Sequence, residues 1–269
     1  MNVAVSTNKR FSRQLLHDGF AEDHQERLRS STVLLAGAGG VGGQIAYGLV
    51  GAGIGKLILI HSGDLEIEDL NRQTVLKESA IGLPRVEAAA ERLREYSSST
   101  IVEGHDMPIT TESLAPLLKG VDLIIDARHN FPERRAMNRA AFEKRTPLLF
   151  TAMDALEAQM ALFVPGSTGC LECLYPDDPP YWDPLAFPVF GAVAHALGAF
   201  AAMEAIKYVT GFLKPTERLC LFDMGDYSIR KVKYRRIEGC PVCALLPIAS
   251  VYASNTHSER NPGSLPVNR

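Results

Sequence analysis

The sequence predicts an α/β fold in which a doubly wound, mostly parallel sheet is followed by antiparallel strands. Three observations predict it. Short apolar runs alternate with helical patterns through the first half of the chain. A glycine-rich turn, "GAGGVG", joins the first of those runs to the helix behind it. In the second half the runs come as neighbours, and two C-x-x-C pairs stand beside them.

Taken in order, "TVLLAGAGG" (32–40) reads as a buried strand running into the glycine turn, and "VGGQIAYGLVGAG" (41–53) as a helix of small residues. "KLILIHS" (56–62) is the second strand. "LPRVEAAAERLREY" (83–96) is a helix with Val86, Ala89, Ala90, Leu93 and Tyr96 on one face. "VDLIIDA" (121–127) is a further strand, "FPERRAMNRAAFEKR" a helix with Pro near its start, and "PLLFTAM" a strand. "ALEAQMALFVPG" and "ERLCLFDMGDYSIRKVKYRRI" then read as antiparallel strands, the second a hairpin turning near Gly225. Residues 190–211 form one long helix ended by Gly211. Residues 176–188 are a proline-rich loop without Cys, and the Ser-, Asn- and Pro-rich tail 246–269 reads as disordered. The expected organisation is a single domain over 1–245, in two halves at about 30–150 and about 151–245.

Composition narrows the function classes. The chain has 269 residues, 46% of them hydrophobic, enough for a full core. Its net charge of -3 lacks the basic excess of a nucleic-acid binder. No apolar run is expected to reach the roughly 18 residues of a bilayer span, and the N-terminus has no secretory h-region. A cytoplasmic protein without membrane or nucleic-acid partners is expected. In that setting five Cys point to metal or thiol chemistry before disulfides.

Gly37, Gly39 and Gly42 fit G-x-G-x-x-G, with the strand and helix that the motif needs on either side. A helix N-terminus there would offer backbone N–H groups to phosphate. A tight packing turn is the alternative. Cys170/Cys173 and Cys240/Cys243 supply four thiolates for a tetrahedral Zn²⁺. Their separation is far longer than in a zinc finger, so the pairing must be tertiary; a redox pair is the alternative reading of either half. Cys220, inside "RLCLFD", reads as a core residue. Arg13 in "RFSRQ", Arg72 in "DLNRQ" and Arg85 in "GLPRVEAA" are either solvated charges or cations gathered around a triphosphate.

Together, "RFSRQ", "GAGGVG", "DLNRQT", "GLPRVEAA", "DARHNF", the four knuckle cysteines and "AMEAIKYVTG" resemble the ThiF/MoeB family, relatives of the ubiquitin-activating enzymes, from about Arg10 to Ala244. The resemblance implies a Rossmann-like fold and a homodimer. It implies use of ATP and Mg²⁺ to adenylate the C-terminal carboxylate of a ubiquitin-like or sulfur-carrier protein, or a related peptide or small acid. It makes Arg13 the arginine inserted into the neighbouring subunit's site and Arg72 the phosphate arginine in cis. Gly39 and Gly40 would line the nucleotide, and Asn130 would lie near the reactive phosphate.

Several positions depart from the family pattern. His61 stands where the ribose-binding Asp is expected, and Asp69 where an Asn is expected on the phosphate side. Arg85 replaces a Lys, and His129 replaces the Asp that meets Mg²⁺, whereas Asp126 is kept. His195 replaces a small residue. With no Cys in 176–188, the expected reaction stops at the acyl-adenylate and forms no thioester. Two rival readings stay open: a catalytically silent scaffold or partner subunit, and a dinucleotide-dependent oxidoreductase.

Overall fold

The computed structural model describes residues 7–177 and 187–246. The tail beyond Leu246 and residues 178–186 of the proline-rich loop lie outside the described residues. Among the described residues eight strands form one sheet: β1 (Thr32–Ala36), β2 (Lys56–Ile60), β3 (Ile101–His105), β4 (Leu123–Asp126), β5 (Leu148–Asp154), β6 (Glu157–Phe163), β7 (Leu219–Asp223) and β8 (Ser228–Val232). Their order is β3-β2-β1-β4-β5-β6-β7-β8. Pairing is parallel from β3 to β5 and antiparallel from β5 to β8. β5 is therefore shared: it joins β4 in one sense and β6 in the other, and the expected division near residue 150 runs through the middle of this strand.

The helices are α1 (Thr7–Leu15), α2 (Glu22–Ser30), α3 (Gly40–Ala52), α4 (Arg85–Tyr96), α5 (Thr111–Leu114), α6 (Phe131–Lys144), α7 (Leu171–Leu174) and α8 (Gly191–Thr210). Alternation along β1 sorts the core. Val33 and Leu35 join the cluster under α3, α4 and α8, while Leu34 and Ala36 join the one under α6 with Met137, Phe142 and Phe163. Each of these leucines contributes roughly 1.5–3 kcal/mol by leaving water.

The expected helix at 83–96 forms as α4 and buries Val86, Ala89, Ala90 and Leu93. Tyr96 stays exposed at the helix end, its ring edge-on to Tyr47 with the Arg10 guanidinium over it. β2 stops at Ile60, two residues short of expectation, because the chain turns to bring His61 back toward the glycine loop. The hairpin β7–β8 turns at 224–227, around the expected Gly225.

The small residues of α3 and α8 serve helix packing. A Cβ on Gly48 would lie 2.6 Å from Ala202 Cβ, and one on Gly198 would lie 2.7 Å from the Val41 carbonyl. By length and composition α8 would suffice to cross a membrane. Here Val193, Leu197, Ala201 and Ala205 are buried against α3 and the sheet, and it carries His195, Glu204 and Lys207.

Candidate functional site

Strand order reverses between β1 and β4, the place where open α/β sheets bind ligands. A cavity of about 370 Å³ opens there, beyond the carboxyl ends of β1, β2, β4 and β5. Gly39 and Gly40, His61, Asp69, Arg72, Gln73, Arg85, Arg128, His129 and Thr151 are among the residues that line it.

The glycines divide into two roles. Gly37 has φ +104° and its Cβ would strike the Ala127 carbonyl oxygen at 2.5 Å; a Cβ on Gly42 would lie 1.8 Å from the Gly37 oxygen. These two make the turn and the close strand–helix contact, so the packing alternative holds for them. Gly39 and Gly40 line the cavity at the N-terminus of α3, with Gly39 in the N-cap position. That terminus offers unpaired N–H groups and the positive end of the helix dipole.

His61 is 7% exposed, and its Nδ1 accepts a hydrogen bond from the Ala38 N–H at 3.0 Å. The ring proton therefore sits on Nε2, which makes the imidazole a donor. Burial first, then the charges of Arg128 and Arg85, hold its pKa well below the ordinary value, so it is neutral near pH 7. His129 is stacked on Phe187, and partial burial followed by the Arg128 charge lowers its pKa as well.

The cationic side of the cavity is more elaborate than the sequence reading. Asp69 is buried and receives both Arg72 (3.0 Å) and Arg85 (2.7 Å). Asp126, at the end of β4, is fully buried and holds Arg134 at 2.9 Å while accepting the Arg128 N–H. Burial pushes the Asp126 carboxyl up against the opposing pull of Arg134. Arg134 also donates to the Thr151 and Arg128 carbonyls and lies over the Phe150 ring. Arg128 is ion-paired to Glu133. Sequence reasoning missed Arg128 and Arg134. The signal available was Asp126 itself, since a carboxylate ending a buried strand needs a cationic or hydrogen-bonding partner.

Asn130 serves as the N-cap of α6: its Oδ1 accepts the Glu133 N–H and its Nδ2 donates to the Glu133 carboxylate. It is not among the residues lining the cavity. Arg13 lies on the exposed side of α1, also outside the lining, and has no hydrogen-bond or ion-pair partner among the described residues. His195 Nε2 is 2.8 Å from the Arg72 carbonyl oxygen, linking α8 to the Arg72 loop.

The four knuckle cysteines converge. Cys170 Sγ lies 3.6 Å from Cys240 Sγ, Cys173 Sγ lies 3.3 Å from Cys243 Sγ, and all four sulfurs fall within 4.8 Å of one another. Tetrahedral Zn–S bonds of about 2.3 Å would place sulfurs about 3.8 Å apart. The Ile237 N–H points at Cys173 Sγ (3.3 Å), and the buried Asn138 Nδ2 has no hydrogen-bond partner among the described residues. Such donors suit thiolates. Burial otherwise pushes the Cys170 thiol up to about 12, so a cation is the natural partner for deprotonated sulfur here. The residues fit zinc. Cys220 is buried in β7, as expected of a core residue.

The ThiF family model matches residues 11–242, nearly the whole of the architecture just described. The chain belongs to the ThiF family. Protein HesA of Leptolyngbya boryana is 42% identical over 244 residues, covering 90% of this chain and 88% of the relative. The sulfur carrier protein ThiS adenylyltransferase of Escherichia coli (strain K12) is 34% identical over 236 residues, covering 87% of this chain and 94% of the relative. Among solved structures, Escherichia coli MccB with ATP aligns at TM-score 0.78 and 25% identity, covering 88% of this chain and 74% of MccB. Within this ThiF-family chain, the glycine loop, the arginines and the cysteine cluster thus occupy one fold with named adenylyltransferases.

Proposed function

We propose that the chain is an ATP-dependent adenylyltransferase that activates a carboxylate as an acyl-adenylate and stops there. The observation that carries the reading is the cavity at the strand-order switch. It combines the α3 N-terminus at Gly39 and Gly40 with Arg72, Arg85, Arg128 and Arg134. A carboxylate oxygen would attack the α-phosphorus as pyrophosphate leaves. Both reactants are anions, so the protein's contribution is positioning and cationic stabilisation. Neutral His61 would donate from Nε2 to a ribose oxygen, in place of the acid that usually accepts from the hydroxyls. All five cysteines are committed, four to the cluster and Cys220 to the core, which supports a reaction without a thioester step.

The donors at the expected Mg²⁺ position do not fit a hard cation. Position 129 is an imidazole, and Asp126 and Asp69 are engaged by guanidinium groups. Zinc on Cys170, Cys173, Cys240 and Cys243 would be structural, closed to substrate by four protein ligands.

The acyl substrate is proposed to be the C-terminus of a ubiquitin-like or sulfur-carrier protein, or a peptide. Support comes from relatives named for sulfur-carrier adenylation and from MccB structures that hold MccA. A homodimer with Arg13 acting in the partner's cavity is proposed because Arg13 is exposed and unpartnered within its own described chain. A second reading, a silent scaffold, draws on one observation: Arg72, Arg85, Arg128 and Arg134 are all already ion-paired. Substrate-dependent exchange of labelled pyrophosphate into ATP, run beside calorimetry with ATP and NAD(P)H, separates the readings. ATP binding with exchange supports the enzyme. ATP binding without exchange, across carrier proteins and peptides, favours the scaffold, and binding of NAD(P)H alone overturns both.

A further inference from the structure

Asp69 has an unusual position for a carboxylate at a site built for phosphate. It ends the short 3-10 turn Ile67–Asp69 and is 6% exposed. Its Oδ1 accepts from Arg72 Nη2 at 3.0 Å and Gln73 Nε2 at 2.7 Å. Its Oδ2 accepts from Arg85 Nε at 2.9 Å and the Glu66 N–H at 3.1 Å, with Arg85 Nη2 at 2.7 Å. Two cations that line the cavity therefore share one buried anion, and the trio carries a formal charge of +1, not the +2 that an amide at position 69 would leave.

We propose that Asp69 is a specificity-setting residue, a built-in counter-anion that competes with the ligand's phosphates for Arg72 and Arg85. The inference rests on the nucleotide-site reading above and says how that site is tuned. Each guanidinium has five N–H donors in a fixed fork. Arg72 spends Nη1 on the Glu68 carbonyl and the Asn71 side chain, and Nη2 on Asp69. Arg85 spends Nε and Nη2 on Asp69. An incoming polyphosphate must share those donors with an anion already in place, so the site penalises ligand charge at the phosphate end. The same carboxylate takes the guanidiniums back as pyrophosphate departs, which favours release over product trapping. Partial burial keeps the competition strong, because solvent screens it little.

The rival account makes Asp69 a structural clamp that merely aims the two arginines. The two accounts predict opposite signs. Binding of adenosine, AMP, ADP, ATP and pyrophosphate is measured by calorimetry for wild type and Asp69→Asn, at low and high salt, with thermal unfolding as a check on folding. The counter-anion account expects the variant to bind adenosine as wild type does and to gain affinity with each added phosphate. For ATP the gain should be on the order of tenfold and fall only slightly at high salt, because the charges involved are largely buried. The double variant Asp69→Asn/Arg85→Met, which restores the +1 charge and leaves no unpaired second cation, should return ATP affinity to near wild type. It also serves if Asp69→Asn alone fails to fold: polyphosphate affinity far from wild type in a folded double variant overturns the proposal. Unchanged or weaker ATP binding by folded Asp69→Asn overturns it too, and so does an equal gain for adenosine. If neither protein binds any of the nucleotides, the nucleotide-site reading itself fails and the proposal falls with it. Nucleotide binding without a charge-graded gain removes the proposal alone.

Discussion

Loss of one knuckle cysteine should destabilise the whole sheet, and the size of the effect follows from the topology. Cys170 and Cys240 are 70 positions apart, and Cys173 and Cys243 likewise. A metal on the four sulfurs closes a loop of that length, which contains α8 and the β7–β8 hairpin. Closing a loop of about 70 residues removes unfolded-chain entropy equivalent to about 4 kcal/mol at 25 °C, by the relation used for disulfides. Metal–ligand bonding adds to this, and structural zinc as a whole contributes on the order of 10 kcal/mol or more. Cys240→Ser should therefore cost at least about 4 kcal/mol. For a domain of this size that is a fall of roughly 10–15 °C in Tm. Elemental analysis should find one zinc per chain in wild type and far less in the variant, and EDTA should lower the wild-type Tm toward that of the variant. Cys220→Ser is the control, because Cys220 sits in the β7 core outside the cluster and should keep its zinc. Wild type purified without zinc, and indifferent to EDTA, would refute the reasoning, as would zinc loss from Cys220→Ser equal to that from Cys240→Ser.

Other residues give sharper tests of the cavity. Arg72→Ala should lower pyrophosphate exchange roughly 10²–10³-fold. Mixing it with Arg13→Ala chains should restore part of the activity if Arg13 acts across a dimer; no recovery in verified mixed dimers counts against that. The lowered pKa of His61 means that, below about pH 6.5, the unfolded chain takes up a proton that the folded chain refuses. Stability should be full above that pH and fall as the pH drops from 6.5 toward the folded value, less steeply in His61→Gln; urea titrations at pH 7.5 and 5.5 read the difference, and identical slopes would sink the assignment. Gly42→Ala should cost about 3 kcal/mol or more, since its Cβ has only 1.8 Å to the Gly37 oxygen. Gly39→Ala has 3.9 Å to Gln73 and should fold normally yet bind ATP more weakly; equal stability losses in the two would contradict the division of roles.

How much was legible in the sequence follows from what each element asks of its residues. β1, β2, β4 and β5 are buried runs at the centre of the sheet, so their apolar content announces them. β3 went unread because it is an edge strand of five residues containing Glu103, Gly104 and His105. α2 went unread because only Gln25 and Leu28 of its nine residues are buried, too few to make an apolar stripe. The four cysteines were legible as a cluster because the donor set admits few arrangements, although nothing local brings Cys170 to Cys240. The arginines were legible as cations but not as partners, since pairing depends on which carboxylates the sheet carries to the same end.

Those pairings bear on the histidines at 61 and 129. With a charged imidazole at either place, the cavity would add like charge beside Arg128, Arg85 and Arg72, whose charges act after burial in lowering the two pKa values. Keeping both rings neutral avoids that cost and leaves each able to donate or accept a hydrogen bond. Acids there would instead draw on the same guanidiniums that Asp69, Asp126 and Glu133 already hold. Asp126 and Glu133 hold Arg134 and Arg128, Asp69 holds Arg72 and Arg85 at the cavity wall, and neutral rings stand beside them. The surface offered to a ligand therefore combines neutral rings, helix N–H groups and the outward donors of the arginines with the carboxylates of Glu66, Glu68 and Asp69.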